Sequence, residues 1–485
     1  MADVLLIFPA IRQVGPRFPY PSLALAAYLM DKGREVRMLD ANVEDLSAVD
    51  PLDYRVVGLS TITGPQVAGA LEAAAFVRAR APETLIVWGG IHPSITPHQT
   101  IRHPLVDVVA RAEGERTLLR IVEALDVGGP LREVPGLTLL EEGRVVDAPD
   151  VEFMDINELP LLPYELLRKD RYIHFSGKPS RVYLESSRGC PHDCGFCYNL
   201  AVQKRTWRAK TAQRTVDEMR HVVESLGPDE IWFLDDNMST SRKRMAGIAR
   251  LLIERDVKVG WTTGSRFDYA LKYDTDYLGL LKESGCFAMG FGGESGSQRV
   301  LDRVCKGTSP EMMKAAARLY HEVGISLNSN FMLGFPGETD SDIEATLGIV
   351  DELKSLGGRD FIAGVTVYTP FPGTPMYAEA LAAGFEEPGS LEGWGTYQYN
   401  SVRNLPWLKG KRRRLEETVT LMARFGFQFE SYQGPGVLEG RRFMALVHRF
   451  LCASARFRWR HKVFALPLEW MLVGYLLEKL GFGEH

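Results

Sequence analysis

The stretch from Arg188 to Tyr198 reads Arg-Gly-Cys-Pro-His-Asp-Cys-Gly-Phe-Cys-Tyr, and its cysteines decide most of what the sequence predicts. Cys190, Cys194 and Cys197 supply three thiolate ligands and no obvious fourth. A cube-shaped iron-sulfur cluster held by three thiolates keeps one iron open, and an open metal position can coordinate a substrate or cofactor. The spacing therefore predicts a reactive 4Fe-4S cluster.

Two other interpretations of the cysteines stay open. A structural zinc site would need a fourth ligand, and the nearest candidate, His192, lies between two of the cysteines, where closure by one short loop is strained. A disulfide is less favoured still, because the chain has only six cysteines and no secretory signal.

The cysteine spacing, with an aromatic residue just before the last cysteine, resembles the signature of the radical S-adenosylmethionine (SAM) enzymes. In that family the open iron is chelated by SAM, and an electron from the cluster cleaves the sulfonium to give a 5'-deoxyadenosyl radical. The resemblance implies Cys190, Cys194 and Cys197 as cluster ligands and Phe196 as the loop residue next to the adenine.

Composition places the chain among ordinary globular proteins. Its 485 residues are 45% hydrophobic and carry a formal charge of -5, which suits two or three domains. The apolar run at the N-terminus is too short for a signal peptide or a spanning helix. Unpaired thiols and an oxygen-sensitive cluster fit a reducing compartment, so we expect a cytoplasmic protein.

The first 125 residues alternate strand and helix patterns, which predicts a doubly wound parallel sheet. Ligands of such sheets bind at the carboxyl ends of the strands. Gly89, Gly90 and Gly114 lie in these loops and would let the backbone approach a ligand closely.

The order of these loops resembles the cobalamin-binding domain that precedes many radical SAM cores. The resemblance implies that three of the loops line the cofactor. One departure concerns the loop after Phe8, which lacks the Asp-x-His-x-x-Gly pattern of domains that ligate cobalt with a histidine, so we expect no protein histidine on cobalt. His92 lies in another loop and is either a cofactor contact or a structural histidine. The candidate cobalamin-binding residues are Ser60, Thr61, Gly89, Gly90, His92, Glu113 and Gly114.

From residue 181 six longer strand-helix units follow, and they predict a partial parallel barrel. Polar clusters follow its strands, where the catalytic groups of such barrels lie. On the family resemblance Asp236 accepts from the amino group of SAM, as Asp235 also could, and Glu294 reaches its ribose or carboxylate. The candidate SAM-binding residues are Phe196, Asp236, Gly293, Glu294, Gly334 and Tyr368.

Four segments are therefore expected in this α/β protein. Residues 1–130 form a cobalamin-binding, Rossmann-like domain, and residues 131–180, rich in Pro and Gly, form a connector. Residues 181–385 form the radical SAM partial barrel, and residues 386–485 form a mostly helical C-terminal region.

The C-terminal region is basic on an otherwise acidic chain. From Ser401 onward there are 15 Lys and Arg against 7 Asp and Glu, a net charge of +8 that leaves -13 for the preceding residues. With its aromatic residues Trp459, Phe464, Trp470 and Tyr475 it suits either a membrane surface and a lipophilic substrate, or helices packed on the barrel with a solvated basic face. Nucleic-acid binding is not expected, because no recognised module is visible.

The resemblance implies a cobalamin-dependent radical SAM enzyme that methylates an unactivated carbon of a small or lipophilic metabolite. Its cofactors would be a 4Fe-4S cluster, SAM and cobalamin, and its electron donor a flavodoxin or ferredoxin. No catalytic side chain can be named. The alternatives are an oxidative cyclase or other rearrangement enzyme, and a non-catalytic cobalamin or metal sensor.

Overall fold

The computed structural model describes residues 2–11, 18–172, 180–398, 401–423, 442–464, 468, 469 and 472. For residues 170 and 442–448 only the backbone is described. Two sheets with their helices make up most of this part of the chain, and each has a parallel core, as the sequence pattern predicts.

The first sheet has seven strands in the order β2-β1-β3-β4-β5-β6-β7. The first five are parallel, and β6 and β7 continue the sheet as an antiparallel hairpin. The sheet thus extends past residue 130 into the segment expected to be a connector. The strands are β1 (Ala2–Phe8), β2 (Val36–Asp40), β3 (Tyr54–Ser60), β4 (Leu85–Gly89), β5 (Val108–Ala110), β6 (Leu137–Glu141) and β7 (Arg144–Asp147).

Helices cover this sheet, which explains why its central strands read as almost continuous apolar runs. Val4, Leu5 and Ile7 of β1 are fully buried, with neighbouring residues facing opposite sides of the sheet. The helices of this part are α1 (Tyr20–Asp31), α2 (Pro65–Arg80), α3 (Ile91–Ile95), α4 (Pro97–Thr100), α5 (Gly114–Asp126) and the short α6 (Lys169–Tyr172).

The second sheet has six parallel strands in the order β15-β14-β13-β12-β11-β8, and it confirms the predicted partial barrel. A separate two-stranded antiparallel ribbon joins β9 to β10 beside the cysteine loop. The strands are β8 (Arg181–Leu184), β9 (Ser187–Arg188), β10 (Arg208–Ala209), β11 (Glu230–Phe233), β12 (Gly260–Ser265), β13 (Cys286–Glu294), β14 (Ser326–Leu333) and β15 (Phe361–Val367).

The barrel helices begin and end at residues whose chemistry caps them. Ser309 accepts a hydrogen bond from the backbone of Met312 at the start of one helix, and Gly324, with φ +74°, ends it in the left-handed region. The helices are α7 (Asn199–Gln203), α8 (Ala212–Leu226), α9 (Arg242–Glu254), α10 (Phe267–Ala270), α11 (Thr275–Glu283), α12 (Gln298–Arg303), α13 (Pro310–Val323), α14 (Asp340–Gly357) and α15 (Pro375–Ala382).

The C-terminal region is helical, as expected, and packs on both domains. Helix α16 (Leu391–Gly395) packs on α2 of the first domain, α17 (Gly410–Ala423) packs on β15, and α18 (Arg442–Arg460) packs on α17. Among the helices that the structure describes, none has the length and apolar character needed to cross a bilayer.

Candidate functional site

The three cysteines lie in one loop at the carboxyl end of β8, between the ribbon strand β9 and helix α7. Cys194 is buried, and Cys190 and Cys197 are half-buried. Gly189 precedes the first cysteine with φ +81°, and a Cβ there would collide with the carbonyl oxygen of Thr206. Only glycine therefore fits at the entrance to this loop.

Backbone contacts from other parts of the barrel hold the middle of the loop. The amide of Gly195 donates to the carbonyl of Val304 at 2.9 Å, and the amide of Met376 donates to the carbonyl of Gly195 at 3.0 Å. The position of the thiols thus depends on segments far apart in the sequence.

Polar groups surround the sulfur atoms. Arg266 donates to Sγ of Cys194 at 3.3 Å, and Asn237 donates to Sγ of Cys190 at 3.5 Å. Burial raises the pKa of Cys197 to about 12, so a thiolate at this position requires a compensating positive charge such as a bound iron. Three soft thiolates with hydrogen-bond donors next to the sulfurs are the donor set that an iron-sulfur cluster uses, so these residues fit the cluster.

His192, the candidate fourth ligand of a zinc site, has another partner. Its Nε2 lies 2.6 Å from the hydroxyl of Tyr269, and burial lowers its pKa to about 4. Among the residues that the structure describes, no group of three or more His, Cys, Asp or Glu side chains is placed to hold a single metal ion.

The acidic pair after β11 anchors the backbone that leads into the cysteines. Asp235 accepts hydrogen bonds from the amide and hydroxyl of Ser186, both at 2.7 Å, and from the hydroxyl of Ser187. Both of its oxygens therefore have protein donors, and binding of the amino group of SAM by Asp235 stays a prediction. Asp236 accepts from the amide of Gly189 at 2.9 Å and also lines a cavity described below.

Glu294 and Lys306 form a buried ion pair near the cysteine loop. The Nζ of Lys306 lies 2.7 Å from Oε1 of Glu294, and both residues are almost fully buried. A Cβ on Gly292 would collide with this pair, so the glycine provides the space for it. Lys306 was missed by the sequence analysis. Its position 12 residues after Glu294 is a signal only once the barrel brings the two together.

Aromatic residues contact one another on the side of the site where adenine is predicted to bind. The ring of Phe196 lies 5.8 Å from Nζ of Lys306 and 6.0 Å from the ring of Phe335. The ring of Phe335 in turn lies 5.3 Å from that of Tyr368. Phe196, Glu294 and Tyr368, three of the candidate SAM-binding residues, therefore lie around one end of the barrel.

Gly334 is held by its own turn and by the C-terminal region. Its amide donates to Oε2 of Glu338 at 2.7 Å, and its carbonyl accepts from the indole of Trp407 at 3.0 Å. A Cβ at Gly334, where φ is +84°, would lie 2.9 Å from Oε2 of Glu416. The structure thus explains this glycine by packing, whereas the expected contact of its backbone with adenine stays a prediction. Gly293 likewise packs closely, against Phe331.

The candidate cobalamin-binding loops meet the barrel at a shared cavity of about 320 Å³. From the barrel, Arg188, Tyr198 and Asp236 line it. From the first domain, six of the seven candidate residues line it, namely Ser60, Thr61, Gly89, Gly90, Glu113 and Gly114. Gly90 has φ +92°, and its missing Cβ leaves room for the backbone of Thr61. These loops present glycine backbone and small polar groups to the cavity, a lining that lets a bound cofactor approach the main chain closely.

His92 lies outside this cavity. It is fully buried, with Nδ1 at 3.2 Å from the hydroxyl of Thr63 and Nε2 at 3.4 Å from that of Thr96, and its ring packs on Trp394. Burial lowers its pKa to about 4. These contacts favour the structural alternative for His92, and a contact with the cofactor stays a prediction. Residues 12–15 of the loop after Phe8 lie outside the described residues.

Comparison with known proteins gives the family. Residues 184–350 match the radical SAM superfamily, and residues 16–122 match the B12 binding domain. The uncharacterized methyltransferase PH0819 of Pyrococcus horikoshii is 31% identical over 392 residues, which cover 78% of this chain and 83% of the relative. The anaerobic magnesium-protoporphyrin IX monomethyl ester cyclase of Rubrivivax gelatinosus is 27% identical over 370 residues, which cover 73% of this chain and 65% of the relative.

A solved structure confirms the fold. The cobalamin-dependent S-adenosylmethionine radical enzyme OxsB, with aqua-cobalamin and S-adenosylmethionine bound, matches 100% of this chain and 76% of its own, with a TM-score of 0.73 and 18% identity. The chain therefore belongs to the radical SAM superfamily, in the group that also carries a B12 binding domain. The expected cofactors of these two domains, a 4Fe-4S cluster, SAM and cobalamin, are confirmed by the two family matches.

Replacement of a cysteine in the loop tests the ligand assignment. We expect anaerobically reconstituted protein to bind about four irons, and Cys194→Ala to lose the cluster and SAM cleavage, because each thiolate is a required ligand. Cys286→Ala, which changes a buried cysteine outside the loop, should keep both. Iron content and 5'-deoxyadenosine are measured on the same samples. Zinc in the anaerobically isolated protein, with no iron uptake, would contradict the assignment.

The buried carboxyl groups beside Gly334 predict a pH dependence of stability. Burial raises the pKa of Glu338 to about 8 and that of Glu416 to about 7, from a usual value of 4.5. A group whose pKa is raised by folding stabilises the protein fully below its unfolded pKa and loses this contribution as the pH rises through the folded pKa. We therefore expect the free energy of unfolding to fall between about pH 5 and pH 8.

In the variant Glu338→Gln the side chain is neutral at every pH. The substitution should therefore reduce the fall in the free energy of unfolding by on the order of 2 kcal/mol. Denaturant unfolding across the pH range measures the effect, and Glu386→Gln, at an exposed glutamate, is the control. An unchanged pH dependence in Glu338→Gln would show that this carboxyl group is ionised in the folded protein.

Proposed function

We propose that this chain transfers a methyl group to an unactivated carbon of a small molecule. The observation that carries the proposal is the shared cavity, because residues of the B12 binding domain and residues beside the cysteine loop line the same space. When bound, the cluster with SAM supplies a radical that removes a hydrogen atom, and cobalamin supplies the methyl group. The methyltransferase name of the Pyrococcus horikoshii relative supports methyl transfer.

The protein's own contribution is positioning and exclusion of water. Asp236 holds the backbone before Cys190, and the aromatic rings of Phe196, Phe335 and Tyr368 form an apolar cluster beside the cysteine loop. The rings of Phe335 and Tyr368 are buried, and buried apolar side chains beside a radical keep water away and limit side reactions.

A second cavity, of about 540 Å³, lies inside the barrel and supports a small-molecule substrate. Gly264 on β12, Gly290 on β13 and Gly364 on β15 line it and leave space along these three strands. Asn328 also lines it, and its buried Oδ1 has no hydrogen-bond partner in the described part of the chain. Since an unpaired buried acceptor is costly, we propose that the substrate carries a hydrogen-bond donor that reaches this oxygen.

An oxidative cyclase is the second candidate, because the Rubrivivax gelatinosus relative is named as a cyclase. The two reactions leave different products. Methyl transfer adds one carbon atom from SAM to the substrate. Oxidative ring formation removes hydrogen atoms and adds no carbon.

Labelled SAM distinguishes the candidates. Reduced, cluster-loaded protein with cobalamin is incubated with SAM that carries a deuterated methyl group and with a small-molecule extract of the source organism. We expect 5'-deoxyadenosine and a metabolite in which one CD3 group replaces one hydrogen, with Cys194→Ala yielding neither and Cys286→Ala yielding both. A product that has lost hydrogen and carries no label would indicate the cyclase, and absence of 5'-deoxyadenosine would indicate a non-catalytic sensor.

We also propose that a cytoplasmic flavodoxin or ferredoxin supplies the electron.

The C-terminal region, we further propose, rests on an anionic membrane surface. Basic and aromatic side chains of α18 are exposed, and their spacing places them on one face of the helix; they are Arg449, Phe450, Arg456, Phe457 and Arg460. Interleaved basic and aromatic side chains on a helix suit the surface of an anionic bilayer.

The structure corrects which aromatic residues could contact lipid. Trp459 and Phe464, which the sequence suggested for this role, are buried, and the indole of Trp459 donates to Asp351 of α14 at 2.7 Å. Trp470 and Tyr475 lie outside the described residues. Helix packing on the barrel thus explains one face of α18, and the membrane proposal concerns the opposite face.

Liposome binding tests this surface. The double variant Phe450→Ser with Phe457→Ser should bind anionic liposomes at least about fivefold more weakly than the unchanged protein, and added salt should weaken binding of both. Leu52→Ser with Leu271→Ser removes two comparably exposed apolar side chains elsewhere and should bind normally. Equal binding by the two double variants, or no binding of the unchanged protein at low ionic strength, would refute the proposal.

A further inference from the structure

Arg188 lies at the junction of the two domains and contacts three glutamates at once. Its Nη2 is 2.6 Å from Oε1 of Glu115 and its Nη1 is 3.3 Å from Oε1 of Glu113, both in the first domain. Its Nε is 2.6 Å from Oε1 of Glu185, which follows β8 of the barrel. The exposed fractions of the side chains of Arg188, Glu113 and Glu115 are 10%, 9% and 5%.

The ribbon beside the cysteine loop carries a second arginine that also contacts a glutamate of the first domain. Arg208, on β10, is paired with Arg188 on β9. It binds both oxygens of Glu113, at 2.6 and 3.0 Å. Two adjacent arginines of the barrel thus hold one carboxylate of the first domain, a geometry that fixes orientation as well as distance.

These contacts connect the two cofactor loops through few bonds. Arg188 is two residues before Cys190, so its backbone continues directly into the cluster loop. Glu113 and Glu115 flank Gly114, and all three line the shared cavity on the cobalamin side. Ala112, just before them, has φ +59°, and its amide donates to the hydroxyl of Ser94 at 2.9 Å. The loop is therefore held from both sides in a conformation that is uncommon for a residue with a side chain.

We propose that Arg188 is a positioning residue that couples the two cofactor sites, so that binding of cobalamin tightens binding of SAM. Breaking a buried ion cluster on one side leaves uncompensated charges, so the loop of residues 112–115 and the cluster loop are ordered together. A ligand that orders one loop also orders the other. The second ligand then loses less conformational entropy when it binds, so it binds more tightly. This coupling goes beyond the transfer reaction, since it holds whichever group is transferred.

The test measures SAM affinity with and without cobalamin. Full-length, cluster-loaded protein is titrated with SAM by equilibrium ultrafiltration, in the absence and in the presence of saturating hydroxocobalamin. Couplings between sites commonly lie in the range of about 5- to 150-fold. We expect cobalamin to lower the SAM dissociation constant of the unchanged protein by at least about fivefold. The ratio of the SAM dissociation constant without cobalamin to that with cobalamin measures the coupling. For Arg188→Met we expect this ratio to be near one.

A matched control separates coupling from loss of an ion pair as such. Arg78 binds Asp107 through Nη2, at 2.6 Å to Oδ1, within the first domain and away from both loops. Arg78→Met should therefore keep the ratio of the unchanged protein. The iron content of the same samples should be about four per protein in both variants, which separates a lost coupling from a lost cluster.

Two further variants keep the test decisive if Arg188→Met does not fold. The combination Arg188→Met with Glu115→Gln removes one charge of each sign, and Arg188→Lys keeps the charge but loses the planar guanidinium. We expect a ratio near one in the former and a reduced ratio in the latter. A ratio near one in the unchanged protein, or a full ratio in either Arg188→Met variant, would overturn the proposal.

Discussion

The backbone before Cys190 is held by two neighbouring carboxylates, the buried Asp235 and the more exposed Asp236, and the position of the cluster loop depends on them. Asp235 fixes Ser186 and Ser187, and Asp236 fixes the amide of Gly189. A buried carboxylate that accepts several protein donors, as Asp235 does, gives short, directional bonds, so the first cysteine emerges at a defined point of the barrel mouth. Further along, the carbonyl of Val304 and the amide of Met376 hold the loop at Gly195.

The junction between the domains follows from this loop. Arg188 projects from the held backbone into the first domain, where Glu113 and Glu115 receive it. Because these glutamates lie at the carboxyl end of a strand of the first sheet, the same contact brings the ligand-binding edges of the two parallel sheets together. The shared cavity lies at this meeting of two edges, lined by loops of the first domain and by residues beside the cysteine loop.

Much of this architecture could be predicted from the sequence. Hydrophobic periodicity located the strands of both sheets, and the cysteine spacing located the cluster loop, because both signals are local. The direction of a side chain at a strand end is not local. Asp235 points back to the serines and His92 points into the core, where the sequence allowed either of them to face a cofactor.

Contacts between segments that are distant in the sequence could not be predicted either. Lys306 pairs with Glu294 only because the barrel brings the two residues together, and in the sequence Arg188 is only the first residue of the cysteine stretch. In the C-terminal region, composition predicted a basic, aromatic helix, but which of its aromatic residues are buried depends on packing against α14 and α17.

The central claim is that both cofactors lie at one junction, and the distance between their electron spins tests it most directly. Protein loaded with cluster and cobalamin is reduced so that a paramagnetic cluster and cob(II)alamin coexist, and its electron paramagnetic resonance spectrum is compared with those of samples that hold one cofactor each. The account predicts spin-spin coupling that broadens or splits both signals in the doubly loaded protein. A spectrum equal to the sum of the two separate signals would place the cofactors apart and contradict it.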